Sequence, residues 1–184
     1  MFRYFLIFFL FLFILTINSN AETKDRIIKN LKDTDNLNFK FEQNINGKIE
    51  KGNCIIQYPK KIFCEYAKSN NKILVSNGKT LVIKTKTSYY LYPLEKTPLN
   101  LILDKNYLID KIYDLKEKIT DNKLINYTIS EKDNEIKIFF DNKTFDLIGW
   151  QNTDIYQNSN ITFLSSIKKN RILSKNLFLL PSHN

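Results

Sequence analysis

Apolar and polar residues alternate one by one over most of the chain, and this period of two constrains the fold more than any other feature. Phe39 and Phe41 alternate with charged residues, and the pattern returns from residue 48 to residue 92 and again from residue 123 onward. Successive side chains of a strand point to opposite faces of a sheet, so the pattern predicts half-buried β-strands. We count about eleven of them, without an internal repeat or linker. Sequential antiparallel strands in this number curl towards a barrel, which predicts a mainly β (α+β) protein.

Two segments depart from this period. Residues 22–33 have apolar residues at helical spacing with lysine and aspartate opposite, which predicts one short amphipathic helix. Within residues 93–120, Thr97 places a capping hydroxyl before Pro98, and apolar residues follow. We expect two short apolar helices here, or one kinked helix, buried across the mouth or lumen of the barrel.

The N-terminus is typical of an export signal. Arg3 precedes an apolar run over residues 5–17, and Ser19 and Ala21 supply the small residues that a signal peptidase recognises. The run is shorter than the ~20 residues of a membrane-spanning helix, although an uncleaved anchor is the alternative. We therefore expect residues 1–21 to be a signal peptide cleaved after Ala21, and residues 22–184 to be a single domain in the periplasm.

The residue content argues against an enzyme. His183 is the single histidine and lies in a tail that we expect to fray, which disfavours a nucleophile–histidine pair or a histidine zinc site. The four glycines form no phosphate-binding cluster, and no cofactor or metal is expected. The net charge of +9 suits an anionic surface or acidic partner as well as a plain solvated one. Nucleic acid is not expected as the partner, because the predicted export would place the protein in the periplasm, which offers none.

A hairpin turning at Pro59 organises the middle of the sequence. Cys54 and Cys64 each lie five residues from Pro59, on one face and opposite each other, so a disulfide between them is feasible in an oxidising compartment. The positions that share their parity are Ile56, Tyr58, Ile62 and Tyr66. This face is expected to point inward, either as plain core or as the wall of a cavity.

Several motifs, in this order and spacing, resemble the LolA family of periplasmic outer-membrane lipoprotein carriers. Residues 73–81 (ILVSNGKTL) resemble the family signature ILVSDGKTLW, and residues 41–43 resemble its F-x-Q strand. Residues 52–66 are similar to its proline-containing hairpin, and residues 92–99 to the segment that opens its lid helices. Leu147, Trp150 and Asp154 match L-x-x-W-x-x-x-D, and Phe178 and Pro181 match a C-terminal F-x-x-P.

The resemblance implies an unclosed antiparallel β-barrel with an apolar interior under a helical lid. It implies a monomer that takes acylated lipoproteins from an inner-membrane ABC lipoprotein-release complex to an outer-membrane lipoprotein acceptor. The residues then expected to contact acyl chains are Ile56, Tyr58, Ile62, Tyr66, Leu74, Leu99, Leu101 and Ile102. Pro59 and Ile62, at the tip of the hairpin, are expected to touch the release complex, unless the tip is only a solvated turn.

The chain departs from the family pattern at two positions. Tyr58 stands where the family has an arginine that latches the lid, so the resemblance makes Tyr58 the expected latch residue. Its hydroxyl could donate one hydrogen bond, but it lacks the charge and fork of a guanidinium. Cys64 stands where the family has a large aromatic residue. Two alternatives therefore stay open: a carrier of the same fold for another lipid or glycolipid, and a non-carrier periplasmic adaptor.

Overall fold

A computed structural model describes residues 19–68, 70–120, 123–131, 134–153 and 159–183. In this part of the chain, eleven strands form one antiparallel sheet. The strands are β1 (Asn36–Ile45), β2 (Lys48–Gln57), β3 (Lys61–Tyr66), β4 (Ile73–Asn77), β5 (Thr80–Lys84), β6 (Tyr89–Pro93), β7 (Lys118–Thr120), β8 (Leu124–Glu131), β9 (Asn134–Asp141), β10 (Leu147–Thr153) and β11 (Ser159–Lys169). The helices are α1 (Ser19–Lys32), α2 (Leu99–Ile102) and α3 (Lys105–Asp114), and a 3-10 turn spans Leu94–Lys96.

The sheet is open along one line. Its strand order is β6-β5-β4-β3-β2-β1-β11-β10-β9-β8-β7, so β6 and β7 are the two edges and β1 and β11 meet near the centre. Every neighbouring pair runs antiparallel, and within the described residues β6 and β7 do not pair. The predicted fold class, an unclosed antiparallel barrel with helices over it, is confirmed.

The turns follow the strongest local signals. Asn46 and Gly47, both with positive φ, join β1 to β2, as type I′ hairpins require. The Asn77–Gly78 pair joins β4 to β5, and Gly78 has a φ of +102°. The strand expected at Ile155 lies at residues 154–158, outside the described residues, as does the matched Asp154. The apolar run at residues 5–17 also lies outside them.

Helix α1 packs on the same side of the sheet as α3. Its apolar face, made of Ile27, Ile28 and Leu31, is buried in the main core. On the polar side the Lys24 ammonium donates hydrogen bonds to the Tyr113 carbonyl (3.0 Å) and to the Leu115 carbonyl (2.9 Å). These carbonyls lie at the C-terminal end of α3, where helix groups lack internal partners and favour a cation. Among the described residues, no helix is both long and apolar enough to cross a membrane.

The helices after Pro98 start differently from the prediction. Two short helices form, α2 and α3, but Thr97 does not cap the first, because its hydroxyl donates back to the Leu94 carbonyl (2.8 Å). The cap is instead Asp104, whose carboxylate accepts the Tyr107 N–H at 3.2 Å and begins α3. The short Asp side chain satisfies one of the free N–H groups of the first helical turn.

The C-terminal tail is attached, so the expectation of a frayed end was wrong. The Tyr89 hydroxyl donates to the Pro181 carbonyl (3.2 Å), and the His183 ring packs edge-on against the Tyr89 ring. Val75 and Val82 face away from the interior, yet are only 1% and 0% exposed. The buried Phe178 belongs to this tail, so we infer that the tail covers the outer face of β4 and β5.

Candidate functional site

A cavity of about 260 Å³ lies between the concave face of the sheet and the segment that begins at Thr97. Seven strands and the first turn of α2 form its wall. The lining residues are Phe39, Phe41, Gln43, Ile45, Cys54, Ile62, Cys64, Tyr66, Lys72, Leu74, Leu81, Ile83, Thr97, Pro98, Leu99, Ile102, Trp150, Asn152, Asn160 and Thr162.

One part of this wall is aromatic and aliphatic. Phe39, Phe41 and Trp150 contribute buried rings, and Ile102 closes the cavity from the α2 side. Gly52, directly opposite Phe41 on β2, makes room for this arrangement. A Cβ atom at Gly52 would lie 2.7 Å from Cε1 of Phe41 and would also collide with the Glu65 carbonyl. A glycine here therefore lets the phenyl ring lie close against the strand.

The two cysteines form part of the same wall. Cys54 of β2 and Cys64 of β3 are directly opposite in the register, with Cα atoms 4.1 Å apart, and a disulfide joins them. The hairpin that carries them turns at Pro59 and Lys60, as its sequence predicts. The disulfide ties two neighbouring strands together beside the cavity.

The other part of the wall is polar. On β1 the inward residue after Phe41 is Gln43, and its register partner on β11 is Thr162. The Gln43 amide donates to Asn160 Oδ1 (3.0 Å) and to Thr162 Oγ1 (3.2 Å). Asn152 on β10 lies opposite Asn160 and completes a row across three strands. The concave face thus changes from apolar to polar along the strands.

A buried ion pair lies next to this row. Glu50 is only 6% exposed and accepts a hydrogen bond from the Lys72 ammonium at 2.6 Å, while Lys48 lies 3.4 Å away. Burial raises the pKa of the Glu50 carboxyl, but the hydrogen bonds and charges of Lys72 and Lys48 outweigh it, so that the pKa lies below its usual value. The Lys72 ammonium also lies 4.0 Å from the centre of the Tyr66 ring.

The hairpin turn holds the helical segment in place. The Lys60 N–H donates to the Leu103 carbonyl (2.8 Å), and the Lys60 ammonium lies 3.3 Å from the Asp104 carboxylate. The Tyr58 hydroxyl is buried and has no hydrogen-bond partner among the described residues. Tyr58 therefore does not make the latch bond expected of it, and burial raises the pKa of its hydroxyl, which keeps it neutral. The β2–β3 turn is instead attached to the helical segment through Lys60, two residues after Tyr58.

The structure places the expected acyl-contact residues in two groups. Those that line the cavity are Ile62, Tyr66, Leu74, Leu99 and Ile102. Three others do not line it: Ile56 and Tyr58 are buried in the core, and Leu101 is half-buried against it. Pro59 is exposed at the turn, whereas its expected co-contact Ile62 is buried. In the described residues, no His, Cys, Asp and Glu side chains form a group that could hold a metal ion.

Sequence reasoning missed part of the wall. Phe39, Phe41 and Trp150 were not among the residues expected to contact acyl chains, and the polar row was not predicted. The parity of β1 gives a signal that was present in the sequence: Gln43 and Ile45 share the inward face of Phe39 and Phe41. No comparable signal marks Asn152 and Asn160, because asparagine is common throughout the chain.

These features define a class of proteins: unclosed antiparallel β-barrels whose internal cavity is covered by short helices. The chain belongs to one family of this class: the family model "Outer membrane lipoprotein carrier protein LolA" matches residues 32–180. Among curated protein sequences, none matches the chain.

Two solved structures with TM-scores of 0.50 or more agree on the fold. An uncharacterized conserved protein from Thermus thermophilus is 11% identical with a TM-score of 0.53, and the match covers 90% of this chain and 96% of that one. The MucA/MucB complex of Pseudomonas aeruginosa matches at 10% identity with a TM-score of 0.50, over 88% of this chain and 61% of that one. This chain thus spans less than two thirds of that relative. A LolA superfamily protein from Nitrosomonas europaea matches at 7% identity with a TM-score of 0.45, covering 86% and 98%.

Proposed function

We propose that this protein carries acylated lipoproteins through the periplasm, from an inner-membrane release complex to an outer-membrane acceptor. The observation that carries the proposal is the apolar part of the cavity, which lies between the sheet and the helical segment that begins at Thr97. The family that the chain belongs to is named for this activity.

Such a carrier must bury acyl chains away from water, and it needs no catalytic residues to do so. Each methylene withdrawn from water contributes about 0.8 kcal/mol, so a free acyl chain resists an aqueous crossing. A carrier must leave space that its own side chains do not fill and must cover it reversibly. The cavity under Leu99 and Ile102 offers such space, and Lys60 joins the β2–β3 turn to the covering segment by one backbone hydrogen bond and one ion pair.

Export to the periplasm is a second part of the proposal. We propose that residues 1–21 are removed as a signal peptide, which leaves Glu22 as the first residue. Helix α1 would lose its first three residues but would keep its buried face of Ile27, Ile28 and Leu31. Mass spectrometry of the protein recovered from the periplasm tests this step. A mature mass beginning at Glu22 supports it, and an intact Met1 in the membrane fraction contradicts it.

Release of lipoproteins from spheroplasts tests the cargo. We expect purified wild-type protein to release acylated lipoprotein into the medium and Ile102→Glu, with a charge under α2, to release far less. Leu101→Glu is the matched control, because Leu101 does not line the cavity. If wild type releases no lipoprotein but co-purifies with another lipid, the assignment of lipoproteins as the cargo is wrong. The protein is then a carrier of that other lipid or glycolipid.

A second candidate function is a protein-binding adaptor without lipid cargo. The edge strand β6 favours it, because Tyr90, Leu91 and Tyr92 are 50%, 58% and 43% exposed on a strand with one unpaired side. Such an edge can accept an added strand from another chain. The absence of any co-purifying lipid, together with loss of a bound protein in Leu91→Lys, would favour the adaptor over the carrier.

A further inference from the structure

We propose that the polar row at the cavity recognises the neutral hydrogen-bonding group attached to an acyl chain, an amide or a hydroxyl-bearing ester, and selects against a free carboxylate. This inference rests on the proposed function, because it assumes that the apolar part of the cavity holds an acyl chain. It adds which chemical group must follow that chain.

The register of three strands places the row at one level of the cavity. Gln43 of β1 is paired with Thr162 of β11, and Thr162 is paired with Trp150 of β10. One step further along, Asn160 is paired with Asn152. An acyl chain lying against Phe41 and Trp150 would therefore bring the atoms at its head to the amides of this row.

The row has hydrogen-bonding capacity that the protein does not use. Its internal bonds engage the Gln43 amide nitrogen, Asn160 Oδ1 and Thr162 Oγ1. The Gln43 carbonyl oxygen, the Asn160 amide nitrogen and both polar atoms of Asn152 have no protein partner within the described residues. Their side chains are half-buried, so water can reach these atoms, and a ligand head that displaces the water must replace its hydrogen bonds. A ligand group with both a donor and an acceptor would satisfy them.

The charged side chains near the row disfavour a fatty acid, which is the simplest alternative ligand. The cation that lines the described cavity wall is Lys72, and its ammonium is already bound to the Glu50 carboxylate. Glu50 is the register partner of Gln43, and its carboxylate is paired with both Lys72 and Lys48. A ligand carboxylate would find both lysines already bound to Glu50 and would lose its hydration, which is unfavourable without a free cation. A neutral head does not incur this cost.

Three probes with one chain length separate the possibilities: N-dodecanoyl glycinamide, monododecanoylglycerol and dodecanoate, each titrated against the purified protein at neutral pH. The first stands for an acylated peptide and the second for a glycerolipid. We expect at least one neutral probe to bind about tenfold or more tightly than dodecanoate. The neutral probe that binds more tightly identifies the source of the acyl chain.

Two variants test whether the row causes the preference for a neutral probe. Asn152→Leu breaks no hydrogen bond of the row, because Asn152 takes no part in its internal bonds, and Asn160→Leu removes a second member. Each should weaken the neutral probe about three- to tenfold, as expected for the loss of hydrogen bonds, and should leave dodecanoate unchanged or tighter. Asn53→Leu is the matched control, because Asn53 is exposed on the outer face of β2, and it should change nothing.

The outcomes are separable. Equal binding of all three probes, unaffected by Asn152→Leu and Asn160→Leu in folded protein, would overturn the recognition site while the carrier proposal stands. Failure of every probe to bind folded wild-type protein would overturn both. Circular dichroism of each variant establishes that it is folded before its affinity is compared.

Discussion

The ammonium of Lys60 lies 3.3 Å from the carboxylate of Asp104, which joins the β2–β3 turn to the first residue before helix α3. The same carboxylate caps α3 by accepting the Tyr107 N–H. One side chain therefore both starts the helix and ties it to the sheet.

Removing this ion pair should loosen the helical segment without unfolding the sheet. In Lys60→Met the backbone bond to Leu103 remains, so we expect a loss of only ~0.2–1 kcal/mol, typical of a solvent-accessible pair. Amide hydrogen exchange over residues 99–114 should become faster, whereas exchange in β1 and β11 should not. Lys79→Met, in the exposed β4–β5 turn, is the control. Unchanged exchange in residues 99–114 would mean that Lys60 does not hold the segment.

The buried Glu50 should make stability depend on pH. Its folded-state pKa lies below its usual value, so its contribution is present above the unfolded pKa of about 4.3 and is lost as pH falls towards the folded pKa. Urea unfolding of wild type should show a decrease in stability over this acidic range, and Glu50→Gln should show a shallower one. Glu42→Gln, an exposed carboxylate on the neighbouring strand, controls for general acid effects. Parallel curves for wild type and Glu50→Gln would contradict the assignment.

The disulfide should stabilise the hairpin to a moderate degree. It closes a loop with a sequence separation of 10 residues, for which chain entropy predicts at most about 3 kcal/mol. A double Cys54→Ala, Cys64→Ala variant should unfold at a lower urea concentration, and reductant should shift wild type in the same direction. Reductant should have no effect on the variant. Full titration of two thiols in unreduced, denatured wild type would show that no disulfide forms.

The tail should stabilise the sheet through its buried Phe178, in addition to its contacts with Tyr89. Phe178→Ala would remove a buried ring, at a cost of about 3 kcal/mol, and we expect it to expose Val75 and Val82. Leu179→Ala, next to it but largely exposed, should cost much less. Thermal unfolding of the two variants makes the comparison. Equal, small effects would mean that the tail does not cover the outer face of β4 and β5.

Alternation and turn residues were sufficient to predict the sheet. The Asn77–Gly78 hairpin and the inward parity of Cys54 and Cys64 depend on contacts that are local or directly across a turn. Such contacts are encoded by neighbouring residues, which is why their register could be predicted. The position of α2 could not be predicted as well, because helices that cover a cavity and helices that fill a core have the same apolar pattern.

The cavity wall shows where this limit lies. Leu101 and Ile102 are adjacent and equally apolar, yet only Ile102 lines the cavity, because its direction depends on how α2 is seated over the sheet. Tyr58 shares its parity with Cys54, but the strand ends there and its ring is enclosed by the core. The polar row depends on β1 meeting β11, and these two strands are far apart in sequence.

The central claim, that an acyl chain occupies the cavity under α2, can be tested through Trp150. It is the single tryptophan of the chain, it is buried, and it lines the cavity. An acyl glycerol brominated near the end of its chain quenches tryptophan fluorescence on contact, so titration into wild type should give saturable quenching. Ile102→Glu, which places a carboxylate under the lid at a cost of several kcal/mol, should abolish it, and Leu101→Glu should not. Absence of quenching in folded wild type, or equal quenching in Ile102→Glu, would contradict the account.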